Sequence, residues 1–162
     1  MTTEKKAKRR AILIFMLNRS GVLNKISMLI RRKMYNVETI TACTTAQSGI
    51  SRMTLTLRED SDQNMAQVVK QIEKMTEVIS ARELDIEQSF WREVAIVKCE
   101  VRDADLESLQ EAYSIGILDR RDSGQCVVQI AGTSQMIDDF IEAVGDEKII
   151  EVARSGFTAL EK

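Results

Sequence analysis

The sequence contains no histidine, so the commonest general base and the commonest transition-metal ligand are both missing. Ser-His and Cys-His nucleophilic arrangements are therefore excluded, and enzymatic chemistry would have to come from Cys, Lys or carboxylates. Cysteine is scarce: Cys43, Cys99 and Cys126 are odd in number, far apart and without a Cys-x-x-Cys pair, so neither a disulfide framework nor a zinc spacing is present. They read as small buried apolar residues. No apolar stretch approaches the roughly 20 residues that span a bilayer, and no signal-type segment with a cleavage site is found, which implies a cytosolic, cytoplasmic protein. The formal net charge of -2 argues against nucleic acid or a membrane surface as a partner. One basic cluster, Lys5, Lys6, Lys8, Arg9 and Arg10, precedes the first apolar run; residues 1–9 read as a flexible solvated leader.

The patterning that is present belongs to an α+β protein. Ala11 to Leu17 is continuously apolar and short, as in a central strand. Asn18-Arg19-Ser20-Gly21 ends it, and Val22, Leu23, Ile26, Leu29 and Ile30 then recur at helical spacing. Residues 36–45 are β-branched and strand-like. Met53, Leu55 and Leu57 alternate with Arg52, Thr54, Thr56 and Arg58, predicting a strand with one buried and one polar face. A cap region at Asp60-Ser61-Asp62 opens a second helical stripe through Met65, Val68, Val69, Ile72 and Met75, and Val78 to Ile86 closes the series.

Residues 10–87 thus give β-α-β-β-α-β, the ferredoxin-like order. The same order starts again in 93–162: a strand through Val94–Val101, a short helix at Leu106, Leu109 and Tyr113, strands around the Asp122-Ser123-Gly124 turn, a helix through Met136–Val144, and a last strand at Ile149–Ala153. The fold class is two tandem ferredoxin-like domains. Each would have one sheet face under its helices and the other bare, so association through that face or through sheet edges is expected.

Three places could hold chemistry. The turn from Asn18 to Gly21 leads into a helix, where unpaired backbone N–H groups at the positive end of the dipole suit a carboxylate. Taken alone, the same residues are better explained by Asn18 or Ser20 capping the helix while Gly21 permits the turn, since a cap and a glycine precede very many helices. Asn36 starts a strand and gains meaning only from its neighbours. Gly132-Thr133-Ser134 precedes the last helix, where a simple N-cap suffices, and no phosphate-loop spacing accompanies it. Phe90 and Trp91 at the domain junction fit either a partner anchor or packing of the linker.

The segment Asn18-Arg-Ser-Gly-Val-Leu23 resembles the strand-turn-helix signature of ACT domains, which sense amino acids. Together with YNVETIT at 35–41, ISRMTL at 50–55, VVQIAGTS at 127–134 and IIEVARSGFTAL at 149–160, nearly the whole chain resembles the small regulatory subunits of acetolactate synthase. It departs from them in reading Lys33-Met34-Tyr35-Asn36 where Arg-Gly-Tyr-Asn is common, which bears on the bend before strand two. It also reads Ala112-Tyr-Ser-Ile-Gly116 where an Ile-Phe-Arg-Gly-like segment is usual.

The resemblance implies a homodimer through its ACT domains, with valine or another branched-chain amino acid between them. The effector's carboxylate would meet the backbone of Gly21, Val22 and Leu23 and the side chain of Asn18; Asn36 of the second protomer would reach it, with Val37 and Ile40 near the aliphatic tail. It further implies a non-catalytic chain that activates a catalytic large subunit, the effector withdrawing that activation. Thiamine diphosphate, magnesium and FAD would belong to that partner and none to this chain. Another ACT-type sensor, acting on a different enzyme or on gene expression, is the alternative; a small enzyme on the same fold is a third class, distinguished by turnover of the isolated chain.

Overall fold

The run AILIFML is apolar throughout because both faces of the strand that holds it are covered. In the computed structural model, which describes residues 7–121 and 123–162, it lies in β1 (Arg9–Leu17). Ile12, Ile14 and Met16 face the helices, while Ala11 and Leu13 on the other face are 0% and 3% exposed. There follow α1 (Val22–Arg32), β2 (Val37–Thr44), β3 (Ile50–Arg58), α2 (Asp62–Glu73) and β4 (Val78–Glu83). The sheet order is β2-β3-β1-β4 with every neighbour antiparallel, so the apolar strand is central and β2 is an edge. Ile26 and Ile30 of α1 and Met65, Val68 and Ile72 of α2 close over Met53, Leu55 and Leu57 of β3. Ser61 caps α2, its hydroxyl accepting from the Asn64 N–H at 3.2 Å.

Helix α1 ends in a Schellman turn. Lys33 is the cap, Met34 takes the left-handed conformation at φ 60, and the N–H groups of Met34 and Tyr35 donate to the carbonyls of Arg31 and Ile30. Tyr35 folds back onto the core. Met34 is thus held at the position where a glycine is usual, 90% exposed and packed on little. The bend before β2 survives the departure from Arg-Gly-Tyr-Asn, at the cost of Cβ strain of about 1–2 kcal/mol. Met34→Gly should raise the unfolding free energy by about 1 kcal/mol, read by urea denaturation, because the strain relieved exceeds the added backbone entropy of the unfolded chain.

The second half repeats the order: β5 (Ser89–Glu100), α3 (Asp103–Ala112), β6 (Ile115–Arg120), β7 (Gln125–Gly132), α4 (Ser134–Val144), a 3-10 turn (Asp146–Lys148) and β8 (Ile149–Arg154). Its sheet runs β6-β7-β5-β8. Phe140 and Ile137 of α4 bury against Ala95, Val97, Val128 and Ile130, and Tyr113 meets Phe140 edge-on at 5.5 Å. Thr133 caps α4 by accepting from the Met136 N–H at 3.3 Å, as expected for Gly132-Thr133-Ser134. The two-domain α+β reading of the sequence holds. Asp122 of the expected Asp122-Ser123-Gly124 turn lies outside the described residues.

The chain divides into a unit ending at Phe90 and a unit of Trp91–Thr158, and Ala159–Lys162 rejoin the first. The expected domain 93–162 therefore loses its last four residues to the first unit. Three of them, Ala159 to Glu161, lie in β9 (Thr158–Glu161), a strand too short to show in the pattern, which pairs with β5.

The first sheet is not bare on its second face, and the returning segment lies along part of it. Arg52 donates to the Ala159 carbonyl, and Arg82 pairs with Glu161. Thr54 and Thr56, expected on a polar face, are 1% and 0% exposed, with the Thr56 hydroxyl 2.6 Å from that of Thr39. In the second unit the corresponding face stays open, with Val94 and Ile96 exposed.

The basic cluster is also only partly a leader. Arg9 and Arg10 belong to β1; Arg9 pairs with Glu38, and Arg10, 6% exposed, is held by Asp62 and Glu83. Lys5 and Lys6 lie outside the described residues. Cys43, expected to be buried, is exposed on the edge strand β2, whereas Cys99 and Cys126 are buried. Among the described residues no helix is long and apolar enough to cross a membrane. Trp91 packs edge-on to Phe157, and Phe90 is exposed beneath the Lys162 ammonium.

Candidate functional site

The turn from β1 into α1 leaves donors free. The N-cap of α1 is Gly21, at φ 85 and ψ -11, and no side chain caps the helix, so neither Asn18 nor Ser20 plays the capping role the sequence allowed them. A left-handed backbone favours glycine here, and nothing lies within 4 Å of where a Cβ would project, so the space above the turn is open.

Of the expected donors, the Val22 N–H is engaged with the Arg19 carbonyl at 3.4 Å, and its side chain is buried. Among the described residues the N–H groups of Gly21, Leu23 and Asn24 meet no protein acceptor, and Lys25 donates to the Gly21 carbonyl to begin the helical ladder. The Asn24 amide is not among the donors expected from the sequence. Its signal was available: once the helix starts after Gly21, the N2 and N3 amides, those of Leu23 and Asn24, are the free ones. Asn18 is exposed, its N–H donating to the Gly49 carbonyl at 2.8 Å, which fixes the backbone and leaves the side-chain amide outward.

The electrostatics favour an anion. The first turn of α1 carries no acidic residue, and the dipole places partial positive charge there. Arg19 is exposed beside it. Lys25 pairs with Glu77, whose carboxyl is held below its usual range chiefly by that lysine.

Asn36, Val37 and Ile40 lie elsewhere. Val37 opposes Leu57, which opposes Arg10, whereas the Asn18 turn follows Leu17, opposite Ile50. Seven strand steps separate residues 10 and 17, about 24 Å at the strand rise. Asn36 and Val37 therefore sit at the opposite end of α1 from the turn, and Ile40, opposite Leu55 and through it Ile12, lies five strand steps or about 17 Å from residue 17, so a free amino acid is far too short to touch both groups within one chain.

Asn36 and Val37 line an open groove of about 550 Å³ with Ser27, Arg31, Met34 and Tyr35. Ile40 is 39% exposed on β2, which has β3 on one side only. Beside them Glu38 bridges Arg9 and Arg58. Burial pushes its carboxyl up, but the two guanidinium hydrogen bonds outweigh this and hold it below the ordinary range.

The comparisons with known proteins agree with one another. Residues 12–80 match the model of the AHAS small subunit-like ACT domain, and residues 92–162 that of the small subunit of acetolactate synthase. The chain is 32% identical over 158 residues to the acetolactate synthase small subunit of Bacillus subtilis, covering 95% of this chain and 91% of that one. It is 32% identical over 158 residues to the isozyme 3 small subunit of Escherichia coli, covering 95% and 96%. The crystal structure of the acetolactate synthase small subunit from Thermotoga maritima shares the fold at a TM-score of 0.88, with 24% identity over 96% of this chain and 98% of that one. The chain belongs to the family of acetolactate synthase small subunits.

Proposed function

We propose that the chain activates the catalytic subunit of acetolactate synthase and releases that activation when a branched-chain amino acid, valine foremost, binds between the ACT domains of two copies. The carboxylate is taken by the free amides of Gly21, Leu23 and Asn24, with the side chain of Asn18 beside them. The ligand's other end is met by Asn36, Val37 and Ile40 of the second copy. The observation that carries this reading is the separation of the two half-sites: free donors at the start of α1, an exposed edge strand and groove toward its far end, and about 17–24 Å between them. Each half is incomplete without a neighbour, and a two-fold pairing supplies both missing halves at once.

An effector can shift activity only through its different affinity for the two states of the complex, and couplings of about 1–3 kcal/mol correspond to roughly 5- to 150-fold. Thiamine diphosphate, magnesium and FAD chemistry stays with the catalytic partner. This chain contributes binding and coupling.

The test is activity of the cognate catalytic subunit with and without the purified chain, during titration with valine, leucine and isoleucine. The chain alone should show no turnover, should raise the partner's activity, and should lose that effect as valine saturates. A chain that binds no branched-chain amino acid and leaves the partner unchanged would point instead to another ACT-type sensor.

A further inference from the structure

The buried sulfur pair of the second unit lies outside the residues of the proposed effector site. Cys99 of β5 and Cys126 of β7 are direct partners in the antiparallel register, with their Sγ atoms 3.5 Å apart. Both side chains point into the same core, beside Val97 and Val128, and both are nearly inaccessible, at 1% and 3% exposure. Opposed residues of antiparallel strands keep their Cα atoms about 4.5–5.5 Å apart, inside the roughly 4.4–6.8 Å that a disulfide spans. Closing the sulfurs to the bonded distance of about 2.05 Å therefore asks for side-chain rotation rather than movement of either strand.

We propose that Cys99 and Cys126 are a reversible modification site, oxidised by peroxide to a disulfide that joins the two central strands of the second sheet.

The chemistry takes two steps. Peroxide oxygen adds to one sulfur, giving a sulfenic acid and one water; the second thiol then displaces hydroxide from that sulfur, forming the S–S bond and a second water. Two thiols lose two hydrogens in all, and one peroxide is reduced. The first step is slow in the closed protein, because burial, reinforced by the neighbouring Cys126, pushes the Cys99 thiol up to about 12 and leaves little thiolate. The second step is fast, since the other sulfur is already in contact when the sulfenic acid forms. The arrangement stores neither a free sulfenic acid nor higher oxides.

Cys43 supplies the internal contrast. It is exposed on β2 opposite Arg52, so no cysteine stands as its cross-strand partner within the chain.

The full chain is incubated with hydrogen peroxide, alkylated and mapped by peptide mass. The expected result is one linked pair, the peptides of Cys99 and Cys126 less two hydrogens, restored by a reductant, while Cys43 is trapped singly by a sulfenic-acid probe or carried to sulfinic acid. In Cys126→Ala and, separately, Cys99→Ala, the remaining core cysteine should yield no linked peptide and should accumulate probe adduct. Chain unfolded in urea should lose the preference and link Cys43 as well. Recovery of Cys99 and Cys126 as free thiols after Cys43 is consumed, or their separate conversion to sulfinic acids in the folded wild-type chain, would overturn the proposal.

Discussion

Asn18→Ala is expected to weaken valine binding roughly 10- to 100-fold while leaving thermal stability unchanged. The magnitude is that of one hydrogen bond to a charged group, about 1.5–3 kcal/mol. Stability is spared because the exposed Asn18 side chain makes no hydrogen bond to the protein among the described residues, and the backbone bond to Gly49 survives the change. Asn36→Ala should have an effect of the same order from the other end of α1. The decisive measurement mixes the two variants. If each site takes Asn18 from one copy and Asn36 from the other, a mixed dimer carries one doubly altered site and one intact site. Random re-assortment then restores about a quarter of all sites to wild-type affinity, from two proteins that separately show almost none. A site built within one chain would give no restoration. Calorimetry on the mixture, with the stoichiometry as the readout, decides between them.

Much of the fold was legible because it is local. Alternation in β3 and the helical stripe from Val22 to Ile30 report which side chains face the helices, and the continuous run in β1 reports a strand covered twice. What covers that second face was not legible. Thr54 and Thr56 look polar and solvent-facing in any window around them, yet they are buried, in a face along which Arg52 and Arg82 reach Ala159 and Glu161 near the far end of the chain. Periodicity carries no information across that sequence separation, and β9 is too short to announce itself.

The site divides in the same way. That a glycine-containing turn could present free amides at the start of α1 was open to reading from residue types, beside a plain capping role; of the donors the resemblance implies, Gly21 and Leu23 are free, and Asn24 takes the place of Val22. The distance between Asn18 and Asn36 followed from nothing local; it emerges from the register of three strands.

Arg154→Met should destabilise the second unit by about 2–3 kcal/mol at neutral pH, with a pH dependence that identifies the cause. Glu93, 4% exposed at the start of the sheet, accepts from Arg154 Nε at 3.0 Å and Nη2 at 2.7 Å, and from the Ser134 hydroxyl at 3.0 Å. Arg154 also reaches Asp138 at 2.6 Å, so one guanidinium ties β8 to β5 and to α4. Removing one partner of a fully buried pair costs about 3–5 kcal/mol; Arg154 is 32% exposed, and water reaching the gap lowers that figure.

Burial pushes the Glu93 carboxyl up, but the bonds from Arg154 and Ser134 outweigh it and hold the group below its ordinary value. The stabilisation from a depressed carboxyl is fully present above the unfolded-state value of about 4.3 and is lost as the pH falls through the lower folded-state value. In the variant burial acts with little opposition, so Glu93 takes up its proton sooner. The gap between wild type and variant should therefore be widest at neutral pH and close progressively as acidification takes the solution through the raised value of Glu93 in the variant and then the lowered value in the wild type. Adding Glu93→Gln to Arg154→Met removes the buried charge and should recover part of the loss at neutral pH, which a purely steric role for Arg154 would not allow. Urea unfolding followed by the emission of Trp91, the chain's one tryptophan and a member of this unit, measures all three proteins directly.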